Sequence, residues 1–177
     1  MNNIERFLTA LKLGEPDRIP MFDLEFNEDS ILNIGRYFTD DLPPAKPFLD
    51  CTRNEIRKYY DVLIKFVREL DIDSISAVFA AGGSRLEGKP DYHMDDLGVI
   101  YKNSEHGDPF PVDGPIQNVE DLKNYRMPAV KPEHFEIFRY LREQAPERAL
   151  VFTVPGPFKL SWGLMGALQK MLLAYVP

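Results

Sequence analysis

Asp23 and Glu25 stand two residues apart at the end of the short apolar stretch RIPMFDLEF. Carboxylates in that position can orient a polar substrate or take a proton, but the same pair also suits a solvated loop or a helix cap. Gly82 and Gly83 close DSISAVFAAGG, where two missing side chains would let a ligand approach the backbone, or would simply let the chain turn at positive φ. No G-x-G-x-x-G spacing follows, so the pair is not a dinucleotide fingerprint. VPGPF, 154–158, places Gly156 and Phe158 either on a rigid pocket rim or in a strand-to-helix turn. His93 and His106 lie among Asp91, Asp95, Asp96 and Asp108, donors that suit a metal ion. Their spacing matches no zinc template, however, so surface roles are expected for both and no metal site is assigned. Cys51, the one cysteine, precedes a helix start whose dipole would lower its pKa, unless it is a plain structural thiol. No group is assigned as catalytic.

The elements that would position these residues follow from periodicity. Ile4, Phe7, Leu8 and Leu11 give an apolar stripe to a helix from about Asn3 to Leu13, which Gly14 and Pro16 stop. RIPMFDLEF, 18–26, reads as a strand with Pro20 near its start, and a weaker helix follows from Glu28 to Tyr37. The segment 39–50 holds three prolines and reads as loop. Thr52 and Glu55 form a capping box for a helix striped by Ile56, Tyr59, Leu63, Phe66, Val67 and Leu70. A second strand is expected over 73–83, and a Pro-rich excursion over about 85–117 carries a small hairpin around GVIYK. Asn118 with Asp121 caps a short helix, and Pro132 begins another whose apolar side is Phe135, Phe138 and Leu141. ALVFTV, 149–154, is a third strand, followed by a helix between Lys159 and Tyr175 that is apolar on nearly every side.

This β-α alternation calls for an α/β fold with parallel strands joined by right-handed crossovers, in a doubly wound sheet or a (β/α)8 barrel. An open strand edge and an uncovered last helix would favour self-association. At 177 residues, with 44% apolar residues, the chain has material for one substantial domain. A net charge of −7 and a pI near 5.0 argue against nucleic acid or an anionic membrane as partner. The amino terminus lacks the apolar core of a signal peptide, and a lone cysteine forms no internal disulfide, so a cytoplasmic setting is expected.

EPDRIPMF (15–22), DLGVIYK (96–102), VEDLKNYRMP (119–128) and VPGPF (154–158) occur in an order and spacing that resembles the amino-terminal half of the uroporphyrinogen decarboxylase superfamily. The superfamily includes the tetrapyrrole decarboxylase and corrinoid-dependent methyltransferases. The resemblance covers nearly the whole chain and implies the first half of a (β/α)8 TIM barrel, with a pocket at the carboxyl ends of its strands. The decarboxylase signature has paired arginines after the first strand, where this chain has Asp23, Leu24 and Glu25. Carboxylates facing a polycarboxylate substrate repel it. The resemblance therefore implies a corrinoid-dependent methyltransferase as parent, with tetrapyrrole decarboxylation as the alternative. Corrinoid and zinc would be cofactors of that parent, none being bound by these 177 residues alone, and a corrinoid protein is an implied partner. The zinc ligands of that branch, a His-x-Cys pair and a distant Cys, have no counterpart here. A third reading makes the chain an inactive folding or association module.

Overall fold

The computed structural model describes residues 1–78, 83–104 and 109–167. Their contacts fall into two compact units, Met1–Phe79 with Phe135–Thr153, and Ala80–His134 with Val154–Pro177.

The first unit begins with α1 (Asn3–Leu11), where the Asn2 side chain and Glu5 satisfy each other's backbone donors. Residues 15–24 form an extended strap that leads to α2 (Glu28–Gly35), capped by Asn27. After a proline-rich loop and a 3-10 turn, Phe48–Asp50, comes α3 (Arg53–Glu69), opened by the expected Thr52–Glu55 capping box. Its stripe forms the core: Tyr59, Leu63, Phe66 and Val67 are almost fully buried, each large apolar side chain contributing about 1.5–3 kcal/mol. Ile31 of α2 joins that core, as do Phe138 and Leu141 of α5 (Glu136–Gln144).

Two strands complete the unit, β1 (Ser74–Val78) and β6 (Ala149–Thr153), paired in parallel from Ser74 beside Ala149 to Val78 beside Thr153. The strap lies along β1 in the same direction. Asp73 N donates to Met21 O at 2.9 Å, and the Ser76 hydroxyl donates to the Asp23 carbonyl. The strand expected at 18–26 is thus an extended segment without a backbone ladder. Pro20 has no N–H to give, and Met21 N donates at 2.7 Å to the Asp73 carboxylate instead of to a carbonyl.

The second unit is built on an antiparallel meander of four strands: β2 (Gly83–Leu86), β3 (Lys89–Asp95), β4 (Ile100–Lys102) and β5 (Phe110–Asp113). The expected hairpin is therefore only its middle. α4 (Val119–Asn124) starts where Asn118 accepts from Glu120 N and Asp121 N, and a 3-10 turn, Pro132–Phe135, leads out of the unit. α6 (Pro157–Leu164) packs Leu160 and Leu164 against Val99 and Ile116. The helix expected from Lys159 to Tyr175 is cut short at Leu164, because Gly166 takes φ +78°. The remainder of that expectation, 168–175, lies outside the described residues.

The chain is accordingly mixed α/β; among the described residues there are one parallel pair and one antiparallel sheet, parallel β-α connectivity is confined to the first unit, and no closed barrel forms. No described helix is long and apolar enough to cross a membrane.

Candidate functional site

The two ends of the β1–β6 pair differ sharply in chemistry. At the amino ends sits a network of ion pairs around Asp73, which is fully buried one residue before β1. Asp73 Oδ1 accepts from Arg6 Nη1 at 2.6 Å and from Asn3 Nδ2 at 3.0 Å, while Oδ2 takes the Met21 N–H and lies 3.3 Å from Arg18 Nη1. Arg6 also forks onto Asp17, with Nε at 2.6 Å and Nη2 at 2.9 Å from its two oxygens. Arg18 and Arg148 both reach Asp71. The Arg6 guanidinium, and then the amino-terminal ammonium, hold the Asp17 carboxyl well below the usual carboxylate range. Asn3, ahead of burial and Arg148, is the first cause that lowers Asp71. The paired charges of Arg6, Asp17 and Asp73 fasten α1 and the strap to the sheet, while Arg148 Nε and the Ser74 hydroxyl at this end are buried without a hydrogen-bond partner among the described residues. In parallel β-α architectures the amino end of the strands is the structural end.

Asp23 and Glu25, singled out from the sequence, lie where the strap runs along β1, the Asp23 carbonyl accepting from Ser76. Both are exposed, and Asp23 Oδ1 accepts from Glu25 N at 3.1 Å in a local turn. Nearby, Tyr60 of α3 is buried, and its phenol is pushed up by that burial first and by the charges of Glu25 and Glu28 second. Thr153, the last residue of β6, has a buried hydroxyl with no hydrogen-bond partner among the described residues. Periodicity gave no hint of it, since a β-branched residue at a strand end is unremarkable until its oxygen is found without a partner.

Gly83, Gly156 and Phe158 belong to the second unit. Gly83 opens β2 and pairs with Asp95, so it lies in a sheet ladder, while Gly82 lies outside the described residues. Gly156 is the N-cap residue of α6 at φ −70°, with open space where a Cβ would be, so its backbone requires no glycine. Phe158 is mostly exposed.

The stretches that carry the resemblance do structural work in this fold. Asp17 and Arg18 of EPDRIPMF belong to the ion network. The Tyr125 hydroxyl of VEDLKNYRMP donates to the Leu97 carbonyl of DLGVIYK at 3.0 Å, and both stretches share a small core with Leu160 and Leu164. Asp95 caps the hairpin, its Oδ1 accepting from Leu97 N and Val99 N at 2.9 Å each. Burial raises its pKa despite those bonds, and burial followed by Asp95 itself pushes the Tyr101 phenol up to about 12. Asp96 lies beside it in the same turn.

The histidines are engaged elsewhere. His93 stacks on Tyr101 with ring centroids 5.1 Å apart and has Nδ1 3.2 Å from Asn103 Oδ1, and His134 Nδ1 accepts from Lys131 N. His106 and Asp108 lie outside the described residues. Among the described residues no three His, Cys, Asp or Glu side chains gather closely enough to hold a metal ion. Cys51 departs from the activated-thiol alternative. Burial pushes its pKa up, outweighing the Lys46 charge, and its Sγ contacts the Lys46 carbonyl at 3.8 Å. A shallow groove of about 290 Å³ between α3 and α5, lined by Asp61, Ile64, Lys65, Arg68, Glu69 and Gln144, includes none of the residues named from the sequence.

No family model matches the chain, and no curated protein or solved structure is detectably similar to it.

Proposed function

We propose that this chain contributes to the catalytic barrel of an enzyme of the uroporphyrinogen decarboxylase superfamily, in its corrinoid-dependent methyltransferase branch. One observation carries the reading. The strap, β1 and β6 run in parallel with a buried ion network at their amino ends, with Asp23 beside Ser76 at the middle of β1, Glu25 two residues further along the strap, and the unpartnered Thr153 hydroxyl at the carboxyl end of β6. That division of labour between strand ends belongs to barrel enzymes. Asp23 and Glu25 then orient a polar or cationic substrate group, and Thr153 supplies one hydrogen bond. In this reading zinc and corrinoid would be held by residues outside this chain, as the single cysteine supplies no His-x-Cys pair with a distant Cys. Acidic side chains at this position also disfavour a polycarboxylate tetrapyrrole.

The test supplies the missing chemistry in trans. The chain is co-expressed with the carboxyl-terminal half of a corrinoid methyltransferase, or with that of a uroporphyrinogen decarboxylase. Transfer of the methyl group of methylcobalamin to an added thiol, leaving cob(I)alamin and a thioether and followed by the corrinoid's visible spectrum under anaerobic conditions, is expected with the first half only. Porphyrinogen decarboxylation with the second would move the assignment to that branch. Inactivity of both mixtures would overturn the enzymatic reading and leave the association module.

A further inference from the structure

We draw no further inference here: the strongest candidate, the face of the antiparallel meander on which the ammonium groups of Lys89 and Lys102 lie 5.7 and 5.9 Å from the centre of the Tyr92 ring, is an unpartnered sheet face, and nothing in the structure shows what covers it.

Discussion

Replacing Asp73 with alanine removes the acceptor at the centre of the buried network and strands what it held. Arg6, 8% exposed, keeps only Asp17 and the Met1 carbonyl, and Met21 N loses its 2.7 Å partner. Breaking one side of a buried pair costs about 3–5 kcal/mol, and an unsatisfied buried N–H costs about 1–3. The two overlap, since relaxation that rescues one group exposes the other, so a loss of about 4 kcal/mol is expected. At a urea slope of about 2 kcal/mol per molar this moves the midpoint down by about 2 M. Arg6→Met should cost less, because Asp73 retains Asn3 and Arg18. The double variant should be more stable than the sum of the two losses predicts, by at least about 1 kcal/mol, as both buried charges are then gone. Urea unfolding monitored by far-UV circular dichroism measures all three. A loss below about 1 kcal/mol for Asp73→Ala, or strict additivity in the cycle, would refute the claim that this network fastens α1 and the strap to the sheet.

Acid should weaken the fold through the same kind of group. Asp17, Asp71 and Glu55 all have folded pKa values below their ordinary ones, Glu55 falling to about 2 from 4.5 through Lys46 first and Thr52 second, so their stabilisation is present above the ordinary values and lost as pH falls through the folded ones. Glu55→Gln keeps the capping bond but not the 2.9 Å pair with Lys46, and should flatten the dependence of the urea midpoint on pH over that acid range. Asp95 runs the other way, its pKa being raised by burial, so Asp95→Asn should leave stability at neutral pH within about 0.5 kcal/mol or improve it, while Asp95→Ala should cost about 1–2 kcal/mol by orphaning Leu97 N and Val99 N. The same urea titration separates these two variants, and equal losses would show that the turn does not depend on the oxygen. Asp23→Ala, tested in the reconstituted enzyme, should reduce turnover far more than it shifts the melting temperature; unchanged turnover would reduce Asp23 to its turn contact with Glu25 N.

Local signals were legible wherever neighbours in sequence decide the structure. The Thr52–Glu55 box, the Asn118 cap and the stripe of α3 depend on spacings of three and four residues, and each formed where the spacing puts it. The strap shows what spacing cannot reveal. RIPMFDLEF has the composition of a strand, but beside one backbone bond from Asp73 N to Met21 O its main chain bonds the carboxylate of Asp73 and the hydroxyl of Ser76, over fifty residues away. The last helix departed from its expected length for a local reason, since Gly166 takes a left-handed conformation just after α6 ends at Leu164.

The orientation of α1 was not legible for a related physical reason: Ile4 and Phe7 are half-buried, whereas Leu8 and Leu11 are exposed. Apolar periodicity identifies the stripe that ordinarily faces a core, and Ile4, Phe7, Leu8 and Leu11 satisfy it. Periodicity assumes, however, that the hydrophobic effect outbids everything else on the helix. Here one arginine on the opposite side meets two carboxylates at 2.6 Å, and a charge buried in such company cannot be withdrawn without leaving Asp73 unpaired inside the protein. Exposing two leucines gives up about 1.5–3 kcal/mol for each, less the share still covered, which is of the same order as breaking that pair. Nothing in MNNIERFLTALKLG announces the outcome, because Asp17 and Asp73 lie outside it. The residues that orient α1 are charged and distant, so its exposed leucines become visible only once the fold brings those charges together.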